Sequence, residues 1–301
     1  FSAANAAITL PFFAMFGSIF LLTQYLQFTL GYSPLEAGIR MLPYAATMML
    51  VAPTSARVVE RVGTKATVAT GLFLVTVALL LMTMLQVDTS YFDIAWRMVL
   101  MAAGLGLVMA PATESVMGSL PLAKAGVGSA VNDTTRQVGG ALGVAIIGSV
   151  VSSVYGARVA DWFISRPAPA AAKDVAKNSL GGALVVANQL KGTKIAGAGA
   201  LANGLVATAN EAFVDALHAG LFVGAAATFV GVLVVARWLP PMARGEDVRE
   251  QAIEFAEEHA ADPAPDHPGG RTAGDTAEPA AVPAENNGQA TAPTKAARRA
   301  P

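Results

Sequence analysis

Long apolar stretches separated by short polar connections dominate the first 240 residues of the sequence. A helix needs about 20 mostly apolar residues to cross the roughly 30 Å hydrocarbon core of a bilayer. Six stretches meet that length, at residues 6–30, 41–59, 66–87, 94–118, 134–155 and 217–239. Short connections join the first five and make neighbouring helices antiparallel. The pattern therefore predicts an all-α membrane protein built as a bundle of six transmembrane helices.

Two further segments differ from the spans in composition. Residues 156–216 are rich in Ala and Gly, and their most apolar run, 195–209, is shorter than a span. We expect an extramembrane loop with one or two short amphipathic helices, with a seventh and eighth span as the alternative. Residues 240–301 are rich in Pro, Ala, Gly and charge, which is typical of a largely disordered tail.

The predicted domain division follows from these segments. Residues 1–155 hold transmembrane helices one to five, residues 156–216 the extramembrane loop, residues 217–239 the sixth helix and residues 240–301 the tail.

Composition supports a membrane protein and argues against several other classes. The chain is 54% hydrophobic and 14% charged, with a mean hydropathy of +0.51. It has no cysteine and three histidines, two of them in the tail, so neither a metal site nor a catalytic cluster is expected. The sequence has no phosphate-binding glycine loop and no basic patch with interleaved aromatics, so nucleotide and nucleic-acid binding are not expected.

The distribution of Lys and Arg favours one orientation. Eight basic residues flank the ends shared by the exits of the second, fourth and sixth spans, and five flank the other side. Positive charge is enriched on the cytoplasmic side, so we place the first group and the tail in the cytoplasm. The chain begins with Phe1, directly in a spanning-type segment, which favours a fragment that lacks its N-terminal part.

The connection between the second and third spans carries a recognisable motif. Glu60, Arg61, Gly63 and Lys65 in ERVGTK resemble the signature loop D-R-x-G-R-[RK] of the major facilitator superfamily, from which Thr64 departs. Gly63 permits a tight turn between antiparallel helices. A basic turn of another membrane protein could also look like this.

Four longer stretches extend that resemblance. Residues 20–43, 104–121, 125–150 and 216–240, in this order and spacing, resemble the C-terminal half of the fourteen-span drug/proton antiporters of the EmrB/QacA type. The similarity covers about residues 6–240. It implies that the chain holds the last six spans of such a transporter.

The resemblance carries expectations about function and partners. It implies a proton-coupled multidrug efflux transporter of the inner (plasma) membrane, which alternates access and exports hydrophobic or cationic compounds, a property linked to antibiotic resistance. It implies no enzyme activity and no cofactor besides the proton gradient. The partners are the lipid bilayer, the missing N-terminal half and small substrates, with the loop outside and the tail cytoplasmic. The alternative is a six-span permease or scaffold subunit energised by a separate protein.

Polar residues near the end of the first span are candidates for the substrate cavity, which the resemblance places beside this helix. Gln24 and Gln27 are three residues apart and would share a helix face, where they could bind substrate or a neighbouring helix. Tyr25 could stack on a cationic ligand or anchor the helix at the membrane interface.

Charged residues near the ends of the fourth and fifth spans are candidates for coupling or gating. Glu114 could carry a proton or simply be solvated at the membrane surface. Asp133, Arg136 and Gln137 could line the inner mouth, with Asp133 and Arg136 forming a charge pair. Alternatively, the pair caps and salt-bridges a helix that starts near residue 129 or 132.

Small residues follow this charged group on the fifth span. Gly139 and Gly143 form a G-x-x-x-G step, which allows close approach of a neighbouring helix. We therefore predict helix packing at these two positions.

Overall fold

The computed structural model describes residues 2–118, 124–166, 168–193 and 197–239, which all lie within one compact unit. These residues form no strand, so the all-α prediction is confirmed for this part of the chain. The predicted tail, 240–301, lies outside the described residues. The helices are α1 (Ser2–Gln24), which continues as a π-helical turn (Tyr25–Thr29), α2 (Pro34–Arg40), α3 (Leu42–Val62), α4 (Thr64–Met82), α5 (Tyr91–Met117), α6 (Ala125–Trp162), α7 (Ala170–Asn178), α8 (Leu180–Lys191) and α9 (Ala198–Trp238).

Five of these helices are long and apolar enough to cross a membrane: α1 with its π-helical turn, α4, α5, α6 and α9. The remaining predicted span, the second at 41–59, corresponds to helix α3, which has 21 residues, about 30 Å at 1.5 Å per residue. Two prolines, Thr54, Ser55 and Arg57 reduce its mean hydropathy below that of the other five helices. Its crossing of the membrane therefore remains a prediction.

The long helices pack in two layers. One layer runs in the order α3, α5, α1, α6, because α5 contacts α3 and α1, and α1 contacts α6. The second layer is formed by α4 and α9, which pack on each other and cover the first layer from behind. The core between the layers includes Leu21, Leu79, Met98, Leu105 and Leu217. The open face of the first layer is thus formed by α3, α5, α1 and α6.

The contacts also fix the helix directions. Residues of α1 meet residues of α6 that lie 130 positions later, with Thr9 beside Gly139 and Phe13 beside Gly143, so these two helices are parallel. Thr76 of α4 donates a hydrogen bond to Thr228 of α9 at 2.9 Å, and Leu85 contacts His218, so α4 and α9 are antiparallel. We call the two ends of the bundle the Gly63 end, where α3 turns into α4, and the cap end, where α7 and α8 lie.

Glycines at the α1–α6 contact make the two backbones almost touch. A Cβ at Gly139 would lie 2.6 Å from the carbonyl oxygen of Thr9, and one at Gly143 would overlap the carbonyl oxygen of Phe13. Any larger residue would push the helices apart. The structure therefore places both predicted packing glycines directly in the seam between α1 and α6.

A similar close contact joins α4 to α5. A Cβ added at Gly71 would lie 2.6 Å from the carbonyl oxygen of Gly104, and the reverse distance is also 2.6 Å. This pair of glycines therefore lets α4 of the second layer pack closely on α5 of the first layer.

Helices α6 and α9 are far longer than a membrane span. Their 38 and 41 residues correspond to about 57 and 62 Å. Both extend past the bundle at the cap end, where α7 and α8 pack against them through a core that includes Tyr155, Phe163, Leu180, Leu205 and Phe213. Most of the described residues within 156–216 therefore lie in packed helices.

Helix α9 begins at Ala198, well before the predicted start of the sixth span at 217. Polar residues at 210, 211 and 215 mark the end of the apolar run in the sequence, but they do not break a helix. The Ala-rich segment before them has high helix propensity and continues the helix without interruption.

The turn at Gly63 offers a direct stability test. Gly63 has φ +84° and ψ 160°, a conformation that residues with a Cβ rarely adopt. We expect Gly63→Ala to destabilise the folded protein by about 1–3 kcal/mol, measured by thermal melting in detergent. Gly38→Ala is the matched control, since it lies in α2 with open space around its Cβ and should change little. Equal effects of the two changes would contradict the argument.

Acid should weaken the start of α2. The carboxylate of Glu36 accepts a hydrogen bond from the backbone N–H of Ser33 at 2.9 Å, while the Ser33 hydroxyl accepts from Glu36 N–H. These bonds hold the pKa of Glu36 below its ordinary 4.5. The capping box therefore contributes fully above the ordinary pKa and is lost as pH falls through the lowered folded-state pKa. The protection of α2 amides from exchange, relative to their intrinsic exchange rate at each pH, should fall in that acidic window. In Glu36→Gln this protection should not change with pH there.

Candidate functional site

A cavity of about 480 Å³ lies between α1 and α6 on the open face. We call it the α1–α6 groove. Its lining residues are Phe12, Phe16, Asp133, Arg136, Gln137, Gly140, Ala141 and Val144. Aromatic side chains thus form one wall, small side chains form the floor, and charged groups stand at the Gly63 end.

Helical periodicity explains how the groove forms. Phe12 and Phe16 are one turn apart on α1, so they lie on the same side, with ring centres 6.1 Å apart. Gly140 provides the space opposite them, because a Cβ there would lie 2.9 Å from the Phe16 ring. The groove therefore forms because a row of aromatic side chains on α1 faces small residues on α6. The aromatic side chains are its apolar wall, and the small residues leave the space beside that wall.

Arg136 connects three helices at the Gly63 end of the groove. Its Nη2 donates a 2.6 Å hydrogen bond to the hydroxyl of Thr113 on α5, which donates to the carbonyl of Met109. Its guanidinium carbon lies 5.3 Å from the centre of the Phe12 ring on α1, within the range of a cation–π contact. Its Nε is enclosed and has no hydrogen-bond partner. The side chain is thus held in place while part of its donor capacity is unused.

The predicted charge pair between Asp133 and Arg136 is absent from the structure. Asp133 is exposed, and the part of the chain that the structure describes contains one ion pair, Arg158 with Asp215 at 2.9 Å. Arg136 instead donates to Thr113. The alternative capping role is also corrected, because α6 begins at Ala125 and Asp133 therefore lies beyond its first turn.

Gln137 is exposed and lines the groove beside Arg136. Of the four predicted coupling or gating residues, the structure therefore brings Asp133, Arg136 and Gln137 together at the groove. Glu114 is exposed near the same end of α5 and does not line it.

A second cavity of about 270 Å³ lies on the same face toward the cap end. It shares Val144 with the groove and is lined on α1 by Phe20 and Gln24. The junction between α7 and α8, at Asn178 and Ser179, closes it at the cap end. Gln24, a predicted substrate-cavity residue, therefore lies in this second cavity.

The π-helical turn separates the other two predicted cavity residues from Gln24. Tyr25 is fully buried, and its hydroxyl donates a hydrogen bond to the carbonyl of Gln86, so its ring does not face either cavity. Gln27 lies within the wider π-helical turn, where three residues no longer return to the same face, and it lines neither cavity. The insertion of such a turn has no clear signature in the sequence.

The signature-loop residues lie apart from the groove, at the Gly63 end. Glu60 and Arg61 are exposed at the end of α3, and Gly63 makes the turn. Lys65 lines a third cavity of about 300 Å³, which borders α4 and α9 behind the first layer. The resemblance to a signature loop is therefore matched by a tight interhelical turn, at a distance from the candidate site.

Sequence reasoning missed the aromatic residues of the groove, Phe12 and Phe16, and also Thr113, the hydrogen-bond partner of Arg136. The signal for the first two was the four-residue spacing of Phe12, Phe16 and Phe20 on one face of α1. Thr113 gave no signal, because its role depends on the approach of α5 to α6. Within the described ranges no group of acidic or histidine side chains could hold a metal ion, so no residue is assigned to one.

Comparison with known proteins agrees with this architecture. Residues 3–144 match the family model of the Major Facilitator Superfamily. The match covers α1 to the middle of α6, and therefore includes every residue that lines the α1–α6 groove.

Several curated proteins are similar to the chain. The tetracenomycin C resistance and export protein of Streptomyces glaucescens is 33% identical over 155 residues, covering 52% of this chain and 29% of that protein. The multidrug efflux pump LfrA of Mycolicibacterium smegmatis is 30% identical over 237 residues, covering 77% and 45%. The multidrug resistance protein Stp of Mycobacterium tuberculosis is 30% identical over 153 residues, covering 51% and 28%. The chain thus spans less than half the length of each of these relatives.

Proposed function

From the match of residues 3–144 to the Major Facilitator Superfamily model, we propose that the chain is the C-terminal half of a proton-coupled multidrug efflux transporter of the EmrB/QacA type. It exports hydrophobic small molecules by alternating access. The observation that carries the proposal is the α1–α6 groove, a largely apolar cavity with an arginine and an aspartate at one end.

The size and lining of the groove suit this role. Cavities of roughly 300–1,000 Å³, mostly apolar and with a few polar groups, are typical for drug-sized ligands, and the groove has about 480 Å³. A hydrophobic compound would lie against Phe12 and Phe16, and the charged end would orient it. The names of the relatives, which describe export, efflux and resistance, support a role in drug export.

The open face of the first layer supports a second half. Helices α3, α5, α1 and α6 form that face, and they contain the predicted first, second, fourth and fifth spans. Apolar side chains such as Phe16, Phe20, Leu142 and Ile146 are exposed there. In the proposed transporter this face meets the N-terminal half, and the substrate binds between the two halves near the membrane midplane.

Proton coupling is assigned to carboxylates at the Gly63 end. Asp133 lines the groove, and Glu114 lies near the end of the neighbouring helix α5. Both are exposed, so protons could reach them from the solvent on that side. With the orientation proposed from the Lys and Arg distribution, this side and the tail are cytoplasmic, and the cap formed by α7 and α8 is outside.

The test is transport by the gene product that contains this chain, reconstituted in liposomes with a lipophilic fluorescent compound. We expect export that follows an imposed proton gradient and stops when an ionophore removes the gradient. Export that needs ATP and a second protein would support the alternative of a permease subunit. Export that ignores the gradient, or no export of any hydrophobic compound, would overturn the proposal.

A further inference from the structure

We propose that the α1–α6 groove binds aromatic compounds that carry a carboxylate, and that Arg136 is the residue that recognises the carboxylate. The inference deepens the proposed function by naming a substrate class for the groove. It differs from the expectation of cationic compounds, and it rests on the arrangement of charge around Arg136.

Arg136 lacks a compensating charge. No carboxylate lies within 4.0 Å of it among the described residues, and its contacts are a neutral hydroxyl on Thr113 and the face of Phe12. Its Nε has no acceptor. A guanidinium group pairs best with a planar carboxylate, to which it can donate two parallel hydrogen bonds. Because Nε is enclosed, a ligand in the groove would meet the Nη atoms at the tip of the side chain. A ligand carboxylate there would supply the negative charge that Arg136 lacks.

The acid at the same end of the groove does not cancel this preference. Asp133 is exposed, so water and salt screen its charge. Arg136 is half-buried between helices, where the lower effective dielectric strengthens its interaction with a nearby charge. A ligand carboxylate beside the guanidinium thus gains more from Arg136 than it loses to Asp133.

The rest of the groove fits an aromatic body. The stacked rings of Phe12 and Phe16 form one wall, and Gly140, Ala141 and Val144 leave a smooth surface opposite. An aromatic ring can stack in an offset or edge-to-face manner against such phenyl groups. The predicted ligand therefore has a flat ring system in the groove and its carboxylate at the Gly63 end.

Asn132 provides an internal test of the idea. It lies four residues before Arg136 on the same face of α6, is 6% exposed, and its Oδ1 has no hydrogen-bond partner. Changing Asn132 to Asp places a carboxylate within reach of the guanidinium without changing the size of the side chain. This internal acid would occupy Arg136 and compete with the ligand.

The experiment compares three probes with one ring system, naphthoate, naphthamide and naphthylmethylammonium, binding to the purified full chain in detergent by calorimetry. We expect naphthoate to bind at least about tenfold more tightly than naphthylmethylammonium. Arg136→Gln and Asn132→Asp should each weaken naphthoate about tenfold and leave naphthamide within about twofold. Arg158→Gln, which removes an exposed arginine at the other end of α6, is the matched control and should change nothing.

Several outcomes would overturn the inference. The first is that naphthylmethylammonium binds as tightly as naphthoate. The second is that Arg136→Gln leaves the affinity for naphthoate unchanged. The third is that no probe binds, which would mean that water provides the hydrogen-bond acceptors for Arg136. The binding assay is independent of transport, so the two proposals can fail separately. If naphthoate binding depends on Arg136 but no export follows the proton gradient, only the proposed function is contradicted. If export follows the gradient but the binding assay shows no preference for the carboxylate, only this inference is contradicted.

Discussion

Replacing Gly143 with alanine is expected to prevent the close packing of α1 on α6 and to destabilise the folded protein by more than about 2 kcal/mol. The added Cβ would overlap the carbonyl oxygen of Phe13 and would also lie within 3 Å of that residue's carbonyl carbon and Cα. These are backbone atoms, which cannot rotate away as the end of a side chain could. Relief therefore requires the two helices to separate.

The matched control for this change is Gly148→Ala on the same helix. A Cβ at Gly148 would meet one ring carbon of Phe20 at 3.8 Å, an ordinary contact. Alanine also has the higher helix propensity, so the control should be neutral or slightly stabilising. Thermal melting and the monodisperse fraction in size-exclusion chromatography check both variants. A Gly143→Ala protein that melts with the control would show that the seam is not as tight as the structure places it.

The sequence predicted this seam well because its signal is local. A G-x-x-x-G step in an apolar helix predicts a close contact, and the structure places Gly139 and Gly143 opposite Thr9 and Phe13. The partner helix could not be predicted in the same way. Several spans are apolar on all sides, and hydrophobicity alone does not distinguish their faces.

Helix existence was easier to predict than helix length. Each predicted span overlaps a long helix over most of its length, but α4 ends at Met82 rather than 87, α6 begins at Ala125 rather than 134, and α9 begins at Ala198 rather than 217. A search for about 20 consecutive apolar residues finds the apolar part of a helix. The helix itself ends where its backbone is capped or broken, which can be many residues further on. The polar extension of α6 at the Gly63 end and the Ala-rich extension of α9 at the cap end continue their helices although neither is apolar enough to count as part of a span.

The contacts of the candidate site could not be predicted from local sequence signals in the same way. Spacing on one helix suggested that Asp133 and Arg136 pair, since they are three positions apart. The structure instead has Arg136 donate to Thr113, which lies 23 positions earlier on another helix. Whether a side chain binds a neighbour on its own helix or one on the adjacent helix depends on the distance between the two helices. That distance cannot be read from the sequence of a single chain.

Replacing Arg136 with alanine is expected to lower export by the gene product more than about tenfold while its expression stays near normal. The change removes the 2.6 Å hydrogen bond to Thr113, the contact with Phe12 and the positive charge at the groove. Hydrogen bonds to charged groups contribute about 1.5–3 kcal/mol each, which corresponds to roughly ten- to hundredfold in an equilibrium. Initial export rates in proteoliposomes, normalised to the amount of protein, measure the effect.

Three further variants separate the causes. From the sequence alone, Asp133→Asn would be as harmful as Arg136→Ala, since both would break one charge pair. From the structure, Asp133 is exposed and unpaired with Arg136, so Asp133→Asn should preserve folding and the link between α5 and α6. Thr113→Val removes the acceptor for Nη2 with little change in shape and should give an intermediate loss, while Arg158→Gln controls for loss of an exposed arginine. Loss of expression in parallel with activity in Arg136→Ala would instead mean that the residue serves packing alone.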